Sequence, residues 1–102
     1  MTDQLLELRI EDLLMDHREV RKKKVGKYIM KYKNGEDVPP ISVTYCVHTG
    51  KYHLNEGHHR MVTRHFLGKS SIHAKIEPCY LYQCKGNEPD CPSYNIRHVI
   101  LE

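Results

Sequence analysis

"YHLNEGHHRMVTRHFLG", residues 52–68, runs an extended stretch into a glycine, two histidines and an arginine, then into a segment that stops at a second glycine. Gly57 breaks the strand, and "HHRMVTRHFL" reads as a helix closed by Gly68. A glycine at such a junction permits a tight bend and a close backbone approach. The first helical amides beyond it have no partner within the helix, and together with the helix dipole they attract an anion, most usefully a phosphate. Arg60 adds a planar fork of donors for the same oxygens. His58 and His59 can donate as well, or shuttle a proton near neutral pH. The plainer alternative is an ordinary turn with a surface arginine and solvated histidines. Adjacent helical side chains diverge by about 100 degrees, so His58 and His59 are poorly placed to share one metal ion.

Working outward from this turn, "ISVTYCV" and "KYHLN" form a hairpin around "HTG", with Gly50 at the bend. "SSIHAKIE" alternates as a further strand, with Ile72, Ala74 and Ile76 on one face and His73, Lys75 and Glu77 on the other. Upstream, "LLELRI" (5–10) is a short strand and "EDLL" a turn. Residues 18–33 read as a helix with Val25, Tyr28, Ile29 and Tyr32 on one face, ended by Asn34, Gly35 and the Pro39–Pro40 pair. The order strand, helix, hairpin, helix, strand gives a single α+β domain over residues 1–102, with a mixed sheet, two main helices and a β-rich tail from residue 78. Within that tail, "CYLYQC" and "YNIRHVIL" read as strands.

The chain has 102 residues, enough for one modest core and too few for two. No stretch approaches the roughly 20 apolar residues of a membrane span, and the N-terminus has acids where an export signal would have basic residues, with no cleavage-site pattern. A cytoplasmic protein without membrane association is therefore expected. The net charge is only +3, yet residues 18–33 hold eight Lys or Arg beside the single acid Glu19. Arg21, Lys22, Lys23, Lys24 and Lys27 could thus meet a polyphosphate or a nucleic acid, or simply form a solvated helix face.

"PPISV", the hairpin, "YHLNEGHHRMVTRHFLG" and "SIHAKI" together resemble the ParB/sulfiredoxin superfamily over about residues 5–77. The resemblance implies that Gly57, His58, His59 and Arg60 line a nucleotide phosphate site, with magnesium accompanying the nucleotide (ATP, ADP or CTP). Sulfiredoxins carry a catalytic cysteine at the position matching His58, so peroxiredoxin repair is not expected. Partition proteins have two arginines at the positions of His59 and Arg60 and a DNA-binding domain beyond, so a complete partition protein is not expected either. The box is most similar to that of the free-serine kinases, an acidic residue followed by Gly-His-His-Arg. Glu56 stands at the acidic position in place of the usual aspartate, and Glu19 is the nearest match to an upstream glutamate. Glu56, Glu19 and His59 are accordingly the candidate catalytic residues: one carboxylate could accept the proton of an attacking hydroxyl and another could hold magnesium.

The competing reading is a non-catalytic or nuclease-like nucleic-acid-binding module built on the basic helix, with DNA as partner. An interaction domain that has lost the chemistry is a third, and a homodimer is carried as the candidate assembly. Cys79, Cys84, Cys91 and His98 could form a zinc set or a disulfide, but their wide gaps favour reduced structural cysteines, and no metal site is assigned. Cys46 reads as a small core residue.

Overall fold

The apolar periodicities of the sequence close into one sheet with two helices packed on it. The computed structural model describes residues 5–78 and 92–102. In chain order it contains β1 (Leu5–Arg9), a 3₁₀ turn (Ile10–Asp12), β2 (Glu19–Val20), α1 (Lys22–Lys33), β3 (Ile41–Cys46), β4 (Lys51–Glu56), α2 (His58–Phe66), β5 (Ser71–Ile76), a second 3₁₀ turn (Ile96–His98) and β6 (Ile100–Leu101). The main sheet has the order β1-β5-β3-β4, and β2 pairs with β6 in a separate two-stranded ribbon. β3 and β5 are parallel neighbours, and β1 and β4 run antiparallel to them on the two sides. The result is the α+β domain with a mixed sheet that the sequence implies.

Ile41, Val43, Leu54, Ile72 and Ala74 give the sheet an apolar face, on which Met61 and Val62 of α2 and Val25 of α1 are buried. Full burial of side chains such as Met61 and Val62 stabilises the fold by roughly 1.5–3 kcal/mol each. The two helices meet at Thr63, whose hydroxyl donates to His59 O at 2.6 Å and approaches Val25 O at 3.4 Å. A polar side chain can be buried there because its hydrogen bond is made.

A strap formed by Leu14 and Met15 runs along the outer side of β4. Leu14 N–H donates to Tyr52 O and Leu54 N–H donates to Leu14 O, while Met15 exchanges backbone hydrogen bonds with Tyr94 at 2.7 and 3.0 Å. The side chain of Met15 is fully buried. The next two residues, Asp16 and His17, are thereby held beside the β4–α2 junction.

Three expectations require correction. The first helix begins at Lys22 rather than Arg18, because Glu19–Val20 is drawn into parallel pairing with Ile100–Leu101. A long-range ladder thus overrides local helical periodicity. "YNIRHVIL" is not one strand: the Asn95 side chain accepts from Arg97 N–H, and His98 Nδ1 accepts from Asn95 N–H, capping a 3₁₀ turn that leaves only Ile100–Leu101 extended. Ile76 is exposed while Ile72 and Ala74 are buried, since it ends β5 beyond the cover of the helices. "CYLYQC" and the three tail cysteines Cys79, Cys84 and Cys91 lie outside the described residues, and Cys46 is half-buried.

His53, buried on β4, has its imidazole held below the ordinary value of 6.5 by desolvation. The unfolded chain therefore binds a proton at this position more readily than the fold does, so stability present above about pH 6.5 is lost as pH falls below it. Thermal unfolding followed from pH 8 to pH 5 should show Tm falling below that value. His53→Gln should flatten the slope, and an unchanged slope would refute the assignment.

Candidate functional site

Val43 of β3 pairs with Leu54, but Ser42 pairs with Glu56, which leaves Asn55 as an extra residue in β4. The bulge re-aims the strand end just before the helix. Asn55 is anchored by hydrogen bonds to Thr44 Oγ1 (2.8 Å) and Ser42 Oγ (3.3 Å). Gly57 follows at φ 111° and ψ 25°, a conformation that strains any side chain. A Cβ there would lie 2.4 Å from Ile41 Cγ2, so the backbone touches β3 where a side chain has no room.

No side chain caps α2, and Met61 N–H makes its first intrahelical bond, to Gly57 O. The amides of His58, His59 and Arg60 thus lack partners within the helix. They open on a cleft of about 360 Å³ lined by Asp16, His17, Tyr28, Asn55, Glu56, Gly57, His58, His59 and Arg60.

The three box side chains take different directions. His58 is buried, with Nε2 2.9 Å from Asp16 Oδ1 and its ring stacked on His17 at 3.9 Å between centroids. His59 turns towards α1, and its Nε2 accepts from Arg21 N–H at 3.1 Å. That bond requires a lone pair on Nε2. Consistently, desolvation, followed by the charges of Lys24, His17 and Arg21, holds the ring below its usual pKa. Arg60 Nη1 donates to both Pro39 O (3.0 Å) and Pro40 O (2.9 Å), so half of its fork fastens the loop before β3. The fork read as a donor for phosphate oxygens is thus shared with the loop before β3. His58 and His59 thus point to different partners, Asp16 and the start of α1.

Of the candidate catalytic residues, Glu56 and His59 line the cleft. Glu19 is not among the lining residues; it lies exposed in β2, where its carboxylate accepts from Arg18 N–H. Lys22, Lys23, Lys24 and Lys27 are exposed on α1, and Arg21 is its N-cap. Asp16, His17, Tyr28 and Asn55 were not anticipated. Nothing local marks Asp16 or His17, since they reach the site only through the strap. Asn55 depends on a bulge that alternation does not reveal.

No family model matches the sequence, and no curated protein matches it. Solved structures do share the architecture. Sulfiredoxin from Arabidopsis thaliana aligns over 74% of this chain and 86% of its own, with TM-score 0.64 and 24% identity. The chain has the ParB/sulfiredoxin-like fold. A free serine kinase in complex with AMP has the same fold at TM-score 0.65 and 15% identity, over 81% of this chain and 34% of the kinase. A protein from Agrobacterium tumefaciens covers 94% of this chain and 61% of its own length at TM-score 0.70 and 12% identity. This chain therefore spans about a third of the kinase's length. Within the shared ParB/sulfiredoxin-like fold, it places a buried histidine at the first position of α2 and a glycine without side-chain room before it.

Gly57→Ala should destabilise the fold by roughly 2 kcal/mol or more, combining left-handed strain with the clash against Ile41. Gly50 also has positive φ, but a Cβ there meets nothing within 4 Å. Gly50→Ala should cost only the backbone component, about 1 kcal/mol. Equal losses in denaturant unfolding would rule out the close approach as the reason for Gly57.

Proposed function

We propose that the cleft binds a nucleotide through its phosphates, with ATP, ADP and CTP as the ligands to compare. The observation that carries this reading is the meeting of two helix N-termini at His59: α2 begins beside it, and the backbone N–H of Arg21, the N-cap of α1, is bonded to it. Arg21 and Lys24 sit where the dipole of α1 makes positive charge unfavourable, and both act on His59, which lines the cleft together with Arg60. An anion in the cleft would offset the charge of Arg60 and the start of α2 together.

The residues fit such a ligand. Gly57 is part of the cleft lining, the first amides of α2 lack helical partners, and the volume lies in the range of small-molecule sites, about 300–1,000 Å³. Magnesium arriving with the nucleotide would supply charge neutralisation at the phosphates. The AMP complex of the free serine kinase supports a nucleotide over other anions, because that protein shares the fold.

Phosphoryl transfer to a small hydroxyl acceptor is the finer reading. Glu56, exposed in the cleft and fixed by the bulge, would accept the acceptor's proton. Arg60 would hold phosphate oxygens with the edge of its guanidinium not given to Pro39 and Pro40, and His59 would keep the two helix ends together. Glu19, outside the lining residues, is given no part. No helix among the described residues is long and apolar enough to cross a membrane.

Calorimetric titration with each nucleotide and magnesium should show saturable binding at one site per chain. Arg60→Ala, checked for folding by circular dichroism, should weaken it by roughly tenfold or more, about 1.4 kcal/mol. Absence of binding, or an unchanged Arg60→Ala affinity, would overturn the reading.

The second reading rests on the exposed row Lys22, Lys23 and Lys27. If these residues serve DNA, the double substitution Lys22→Ala and Lys23→Ala should abolish a salt-sensitive DNA affinity while leaving nucleotide affinity within about threefold. DNA binding that survives the substitution would exclude that use of the helix.

A further inference from the structure

We infer that Asp16, His17 and His58 form a site for an imidazole-preferring divalent metal ion, zinc being the reference case, in the wall of the same cleft. His58 Nε2 lies 2.9 Å and His17 Nε2 3.9 Å from the same atom, Asp16 Oδ1. The ligand atoms of the three residues all fall within 4.8 Å of one another, the one such group among the described residues. Zinc bonds to nitrogen and oxygen are about 2.0–2.2 Å, which places tetrahedral ligands about 3.3–3.6 Å apart. One separation must therefore widen by about half an ångström and the other narrow by about as much, and the exposed His17 ring must turn out of its stack on His58 so that both in-plane nitrogen lone pairs meet one ion.

An aspartate that only oriented His58 would need no third partner. Here His17 also presents its Nε2 to the same carboxylate. The ligands also come from two elements fixed independently of any ion. Asp16 and His17 follow the strap, held by β4 on one side and Tyr94 on the other; His58 is the first residue of α2, buried against the sheet. Such support keeps the three residues neighbours before any ion arrives, with His17 left to turn into place.

The donor set decides the ion. Magnesium and calcium take oxygen ligands, whereas two imidazoles and one carboxylate suit zinc, cobalt, nickel or iron. This is a different site from the magnesium that would accompany a nucleotide. Three protein ligands leave a coordination position open, as in catalytic rather than structural zinc sites. Asp16 and His17 are about half exposed and all three residues line the cleft, so that position faces the space where a water or a phosphate oxygen would sit. The metal site stands on its own ligands and does not require a nucleotide to bind.

The test is titration of the full, metal-free chain with cobalt(II) in the absence of nucleotide, read by visible absorption and by metal stoichiometry. The expected result is one ion per chain at micromolar concentration, with the d–d bands of four- or five-coordinate cobalt, displaced by zinc and not by magnesium. His17→Gln and Asp16→Asn, both at exposed positions, should each weaken binding at least tenfold. The triple substitution of Cys79, Cys84 and Cys91 to Ser should leave it intact, and so should Arg60→Ala, which tests the phosphate reading separately. No stoichiometric binding, binding lost only with the cysteines, or affinity unchanged in His17→Gln and Asp16→Asn would overturn the site.

Discussion

At Gly57 the backbone rests against Ile41 more closely than any side chain would permit, and this contact sets the position of everything around it. It lowers the start of α2 onto β3, so that His58 is buried at the first helical position, His59 faces α1 and Arg60 reaches back to the loop before β3. A larger residue would have to lift the helix end, and three side chains would lose their partners together. The bulge at Asn55 is the other half of the same junction, because it turns the last residue of β4 towards the cleft immediately before the bend.

The electrostatics of the site follow from that geometry. The start of α2 and Arg60 bring positive potential to the cleft, Arg21 and Lys24 act on His59 in its lining, and Asp16 and Glu56 line it as well. Desolvation, followed by the charges of Lys24, His17 and Arg21, holds the His59 ring below its usual pKa, and the ring links the helices by the hydrogen bond it accepts. The basic residues at the start of α1 oppose the helix dipole, whereas Lys31 and Lys33 in its last turn complement it. Such an arrangement is costly in the protein.

What the sequence showed was local. Alternation in "SSIHAKIE", the hairpin bend at Gly50 and the two glycines bounding α2 each depend on residues a few positions apart, and these elements formed where expected. Arg18–Arg21 left the predicted helix because Ile100 and Leu101, some 80 residues away, pair with Glu19 and Val20. Asp16 and His17 carry no signal of their own, since their neighbourhood with His58 is created by backbone pairing of Leu14 with β4 and of Met15 with Tyr94. Arg60 was legible as a donor at the turn; its commitment to Pro39 and Pro40 was not, because carbonyl acceptors leave no mark on residue type.

The strap has a role beyond placing two side chains. β4 lies at the margin of the sheet, and an uncovered strand margin offers its amides and carbonyls to any passing extended chain. Leu14 takes up the groups of Tyr52 and Leu54 that would otherwise be available. A displacement of this segment would therefore do two things in one event: remove Asp16 and His17 from the cleft, and expose a template for self-association. Loss of ligand chemistry and gain of aggregation are tied to the same few hydrogen bonds, so selection against either protects both.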